Sequence, residues 1–449
     1  MSHDVLVIGA GPAGSVVAAR LAAAGARVAV VGGTARPGWE GLSRRSVALL
    51  AEEGLDGAPG IIDGPIPRSG AWGDGRRVEG LEWLVERRAL AAALRARARA
   101  AGVDDRSDTV TSLRWEGGQW RGLTRAGGSL AAAQVIDARG RRGPERHGPL
   151  LLAVGRKFRT GFRGAFGAPL KPGTHIHTTD FGWCWWAGWA DALWVQVVGR
   201  PRGGHPAMAH SAAAAGHPVA WVAAAAAQIP ALARALEGSH PDGDLVARPA
   251  HARLGCDDCD ATRWRVGDAA LALDPLSGQG VYEVLRGARL VATAVQSVMC
   301  GGDALLAHRF VAERQEEAWA NGVRSAAGFY RENAARGAFW SETATAYERL
   351  LPGTAPVVPR VECRPVLCDG RILEREVIVT SQHPRGVWHL ADVPLVSLKG
   401  YLESAEHATV TGAAAAVDRP AAAVASAIHW LQQTGIMARQ HRPGFPLGG

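Results

Sequence analysis

The chain has 449 residues, 47% of them apolar and 20% charged, with a formal net charge of +8. That length suits about two or three domains with a sizeable core, and the composition excludes a disordered or collagen-like chain. No run of about 18 uncharged apolar residues offers a membrane span, and no basic segment with an apolar core precedes the first strand, so a cytoplasmic protein is expected.

The positive charge is almost wholly arginine, the first lysine being Lys157, and it reads as solvated surface rather than a nucleic-acid patch. The cysteines Cys184, Cys256, Cys259, Cys300, Cys363 and Cys368 are scattered, which fits reduced thiols better than a disulfide framework. Cys256 and Cys259 form a single C-x-x-C pair without a second pair at zinc-finger spacing, so no metal is expected.

Val5 to Ile8 reads as a strand running into Gly9-Ala10-Gly11-Pro12-Ala13-Gly14, with a helix to about Ala24 and a second strand over Val28 to Val31. In that order the glycines have separate tasks. Gly9 permits the tight turn, Gly11 lets a pyrophosphate approach the backbone, and Gly14 lets helix and strand pack closely, so the unit predicts dinucleotide binding at a helix N-terminus. The acid that usually closes the second strand and holds the adenosine ribose is replaced by Gly32.

Further along, Arg44 and Arg45 precede a short helical stretch ending at Gly54 and are candidates for phosphate contact. A long helix is expected from Val85 to about Gly102, then strands over Thr109 to Trp115 and Trp120 to Thr124. The segment Val135 to Arg142 reads as a strand returning to the parent sheet. Thr174 to Thr179, Gly182 to Trp189 and Leu193 to Val198 read as an antiparallel meander.

Trp183, Trp185 and Trp186 in that meander are candidates for an aromatic substrate wall, with His175, His177 and Asp180 beside them as candidate bases. The Ala-rich block Ser211 to Leu236, broken by Pro218 and Pro230, is expected to be helical. Gly267-Asp268 and Asp274-Pro275-Leu276-Ser277-Gly278-Gln279-Gly280 then form a second glycine-rich turn before a helix over Val281 to Cys300, and helices follow to about Arg349.

After a Pro-rich break, Glu374 to Thr380 and Gly386 to Leu390 read as a hairpin around His383 to Gly386. Helices over Leu395 to Leu402, Val410 to Ala416 and Arg419 to Gln433 follow, a winged-helix-like module. Its last helix is mostly Ala, Val and Ile with His429 and Trp430, which favours docking of a peptide over DNA.

Over Asp4 to Leu350 these motifs resemble the flavoprotein aromatic hydroxylase and halogenase superfamily, with its p-hydroxybenzoate hydroxylase-like fold. The resemblance implies FAD held by Gly9, Gly11, Gly14, Arg87, Gly267, Asp268, Pro275, Gly278 and Gly280, Asp268 taking the ribityl chain. The Asp-Gly pair of NADPH-binding hydroxylases is replaced by Asp137-Ala138-Arg139-Gly140, leaving NAD(P)H or a separate flavin reductase as electron source beside molecular oxygen. Halogenases of the superfamily need a lysine in the N-terminal domain, and no lysine precedes Lys157.

The expected fold is α/β: a Rossmann-like FAD domain (1–149 and 251–300), an inserted antiparallel sheet for substrate (150–250), a helical segment (301–350) and a winged-helix-like domain (360–449). The expected function is FAD-dependent hydroxylation of an aromatic residue, tryptophan, in a peptide or protein during tryptophylquinone maturation. The alternatives are a halogenase or hydroxylase of a small free aromatic and, from another class, an FAD-containing scaffold.

Overall fold

The computed structural model describes residues 2–56, 58, 60–73, 75–143, 145–160, 172–201, 219–255, 260–351, 353 and 357–437. By internal contacts the chain divides into a unit of Met1–Ala292 with Gln315–Leu351 and a unit of Thr293–Arg314 with Pro352–Gly449. Cys256, Cys259 and Pro218 lie outside the described residues.

In the first unit, strand β1 (Ser2–Ile8) is parallel to β2 (Val28–Val31), with Val5 opposite Val28, and helix α1 (Pro12–Ala23) crosses between them. Val5, Leu6 and Val7 are fully buried, each such side chain contributing about 1.5–3 kcal/mol of transfer free energy. Among the described residues this sheet has seven strands. The strand Ser129–Asp137 lies beside β1, and Arg263–Arg265 runs parallel to it. The expected return to the parent sheet therefore occurs, one strand ending at Asp137 and the other just before Gly267.

A second sheet, nine-stranded among the described residues, carries the meander of Gly173–Thr179, Gly182–Trp189 and Ala192–Gly199. It also takes β3 (Trp39–Leu42), β4 (Ile62–Trp72) and β5 (Arg76–Glu86), which the sequence reading did not identify. The sheet is mixed rather than purely antiparallel, because Gly173–Thr179 pairs in parallel with β4. Val85 and Glu86, expected in a helix, end β5. Helix α3 begins at Arg87 and runs to Ala100, its N-terminus capped by the Glu86 carboxylate accepting from the Ala89 N–H at 2.8 Å. The described part of the Ala-rich block forms helices Val219–Gln228 and Pro230–Leu236, whose Trp221, Val222, Ala225 and Leu232 cover the outer face of the sheet.

In the second unit the hairpin is Arg360–Cys368 with Arg371–Val379, turned at Asp369 and Gly370, both with positive φ (49° and 75°). The expected pairing across His383 to Gly386 reduces to an isolated bridge between Ile378 and Val387. Three helices, Leu395–Ser404, Val410–Val417 and Ala421–Gln433, enclose a core that includes Leu395, Leu398, Val424 and Leu431. No helix among the described residues is long and apolar enough to cross a membrane.

Candidate active site

The two glycine-rich turns meet. Gly9 has φ +118° and a Cβ there would lie 2.3 Å from the Ala138 carbonyl oxygen, while a Cβ on Gly14 would lie 1.9 Å from the Gly9 carbonyl oxygen. Gly267, at φ +62°, sits close enough to α1 that a Cβ would approach the Ala13 Cβ to 2.7 Å. Glycine is therefore a packing requirement at these positions. Gly11, Gly278 and Gly280 differ, having no atom within 4 Å of an added Cβ, and all three line one cavity of about 490 Å³.

That cavity has the features an FAD-sized group requires. Helix α1 opens without a side-chain cap and without an acid in its first turn, leaving its N–H groups for an anion. Asp268, Arg87 and Pro275 are also in the lining. Asp268 is partly exposed and paired with Arg141 at 3.4 Å, and Arg87 donates to Glu40 at 2.8 Å. Arg139 is fixed by Asp137 at 2.6 Å; burial opposes ionisation of that carboxyl, yet the Arg139 contacts hold it below its usual range.

Gly32 has a local explanation as well. A Cβ there would lie 2.3 Å from the Ala10 backbone nitrogen, so the close strand-to-turn contact leaves no room for the missing acid. Arg44 and Arg45 do not line the cavity; they are exposed on the first turn of α2 (Arg44–Leu50). Arg36, Arg141 and Arg248 line it instead.

Strand alternation divides the aromatic candidates. Trp183 and Trp185 face the cavity, whereas Trp186 packs with Phe181 and Trp221 on the opposite face. His175 and His177 each stack on Trp186 with ring centroids 4.9 Å apart, away from the cavity. Burial lowers the pKa of both imidazoles, His175 adding to the shift at His177. Asp180 is exposed in the turn that follows. The sheet thus leaves the expected bases His175, His177 and Asp180, and Trp186 with them, outside the cavity.

Behind the second glycine turn lies a buried polar cluster. Asp274 accepts from the Leu276 N–H at 2.9 Å, from Tyr347 at 2.6 Å and from Tyr330 at 3.2 Å, and Trp183 donates its indole N–H to the Tyr330 oxygen at 3.4 Å. Desolvation raises the Asp274 carboxyl above its ordinary value despite these hydrogen bonds. One carboxyl thereby ties the Pro275 to Gly280 loop to the aromatic wall. No group of His, Cys, Asp and Glu suited to a metal occurs among the described residues.

The profile of the lycopene cyclase protein family matches residues 4–180. A sequence search of curated proteins found no match. Among solved structures the chain is similar to the peptidyl tryptophan dihydroxylase QhpG, essential for tryptophylquinone cofactor biogenesis, at 27% identity. That similarity covers 97% of this chain and 100% of the other, with a TM-score of 0.78.

The chain has the flavoprotein aromatic hydroxylase and halogenase fold. Its enzymatic class is the FAD-dependent monooxygenase. Two halogenases share the monooxygenase's architecture: the flavin-dependent CmlS, at 18% identity over 97% of this chain and 95% of that one (TM-score 0.70), and the myxobacterial chondrochloren halogenase CndH, at 22% over 76% and 86% (TM-score 0.64). In this monooxygenase Glu82, Arg68, Gln196 and Arg248 also line the cavity. Arg68 and Glu82 escaped the sequence reading because the Gly- and Pro-broken run Ile62 to Trp72 hides β4, and with it the pairing that orients β5.

Proposed function

We propose that this monooxygenase hydroxylates a tryptophan residue of a peptide or protein during tryptophylquinone maturation, with the C-terminal unit docking the substrate. The observation that carries the reading is the likeness to a peptidyl tryptophan dihydroxylase along the whole of both chains. Among the described residues, the basic side chains lining the cavity are Arg36, Arg68, Arg87, Arg139, Arg141 and Arg248. A guanidinium offers no free amine to carry a halogenating species, which supports hydroxylation over halogenation.

In this reading Gly9 and Gly14 shape the turn, Gly11 and the N-terminus of α1 receive the pyrophosphate, and Arg87 lies by the phosphates and ribose. Asp268 accepts hydrogen bonds from the ribityl hydroxyls. Gly278 and Gly280 let the backbone approach the ring system. The chemistry FAD supplies when bound is reductive activation of molecular oxygen, with electrons from NAD(P)H or a separate flavin reductase. Trp183 and Trp185 form an apolar wall that excludes water and orients the aromatic ring.

The test is mass spectrometry of a tryptophan-containing peptide after incubation with the full chain, FAD, NAD(P)H and a flavin reductase. One or two oxygen atoms added to tryptophan is the expected result. Halogen incorporation when halide is supplied, or turnover of free aromatics alone, would defeat the proposal. For the cofactor site, Asp268→Ala is expected to weaken FAD binding about tenfold, the equivalent of one charge-assisted hydrogen bond. Fluorescence titration measures this, and an unchanged affinity would remove the ribityl role.

A further inference from the structure

Glu82 stands out on the inner face of the curled sheet. It lies on β5 opposite Ile66, is 8% exposed, and lines the cavity. Its Oε2 is buried without a hydrogen-bond partner. A Cβ on Gly41 of β3 would come within 2.4 Å of the Glu82 carboxyl carbon, so the carboxylate rests against the one residue type that leaves it room.

A buried carboxylate oxygen without a donor is costly, and native structures supply the partner from protein, water or ligand. The neighbouring Arg68 also has a buried, unpartnered Nε, so two polar groups on one face point to a ligand with polar atoms. Further along the same face, Ile176 pairs across from Trp185 and both line the cavity. The surface therefore combines an apolar aromatic end with an acceptor end. That combination fits a flat ring bearing a hydrogen-bond donor.

We propose that Glu82 is a substrate-binding residue that accepts the hydrogen of the ring N–H or O–H of the aromatic group to be oxidised. This rests on the reading that the cavity takes an aromatic side chain, and adds which atom anchors it. Fixing that atom would set the ring's orientation along the wall and so decide which carbon is presented for oxidation.

The test uses the FAD-loaded full chain and equilibrium titration, by calorimetry or perturbation of the flavin spectrum, with indole against 1-methylindole and phenol against anisole. The wild type is expected to bind the donor-bearing member of a pair about tenfold or more tightly than its methylated partner, the effect of one hydrogen bond to a charged group. Glu82→Ala is expected to abolish the difference and the isosteric Glu82→Gln to reduce it. FAD affinity should stay within about twofold, since the role assigned is toward substrate.

Equal affinities within each pair for the wild type, or discrimination that survives Glu82→Ala, would overturn the role. So would a Glu82→Gln variant that loses FAD while its probe affinities are unchanged. Glu82-dependent selection of phenol without any binding of indole would keep the role and defeat the tryptophan substrate. Binding of indole without selection would do the reverse. If none of the four probes binds, both fall.

Discussion

Substituting Gly14 by alanine is expected to weaken FAD binding and to lower the melting temperature. The added Cβ would lie 1.9 Å from the Gly9 carbonyl oxygen and 3.1 Å from the Ala138 Cβ. A backbone oxygen cannot rotate away as a side chain can, so α1 must shift off β1. Forcing a methyl into a close-packed contact costs about 1–3 kcal/mol, and occasionally more. Should that cost fall on the FAD-bound arrangement, affinity drops by roughly tenfold to a hundredfold.

Gly11→Ala is the informative control. Nothing lies within 4 Å of its added Cβ, yet the methyl would enter the cavity where the phosphates are proposed to sit. The thermal midpoint of the FAD-free protein should be unchanged while FAD affinity falls. Differential scanning fluorimetry with and without FAD separates the two. Equal behaviour of both variants would show that the glycines do not divide between packing and ligand approach.

The second large effect is expected at Asp274. Asp274→Ala strands the hydroxyls of Tyr330 and Tyr347 and the Leu276 N–H, the tyrosines being fully buried. Each stranded group costs about 1–3 kcal/mol, so for the three a loss of roughly 3–9 kcal/mol in unfolding free energy is expected. Asp274→Asn retains an acceptor and should lose much less.

The pH dependence has a definite sign. Burial raises the folded-state value of Asp274 above the unfolded 3.8, so the folded state holds its proton more tightly. The stabilisation from that linkage is complete below 3.8 and is lost as pH rises through the folded value. Denaturant unfolding across this window should therefore show a decline with rising pH that Asp274→Asn removes. A decline of the same size in the asparagine variant would assign it to other groups.

The first βαβ unit could be read directly because its chemistry is local. Within Val5 to Val31 the strand, the glycine spacing and the helix follow one another, and Gly14 packs on Gly9 inside that segment, although Gly9 itself meets the distant Ala138. The pattern is also local in Gly267 to Gly280, though Gly267 packs on the distant Ala13, and in the meander, where alternation of Trp, Thr and Val marks strands. The C-terminal helices were visible by period, but the hairpin was misplaced. The run Arg360 to Cys368 carries a proline and arginines that mask its pattern, while His383 to Gly386 looks like a turn without two strands to join.

What the sequence by itself determined was thus the phosphate turn, the second glycine-rich turn and the class of fold built around them, since each is marked by glycines at short, fixed spacing leading into a helix. Only the tertiary structure decided which side of the aromatic strand faces the cavity, separating Trp183 and Trp185 from Trp186, His175 and His177. It alone brought Asp274 to Tyr330 and Tyr347, and Glu82 against Gly41 beside Ile66. Whether a buried carboxyl has partners depends on strands and helices distant in sequence, and neither composition nor spacing carries that information.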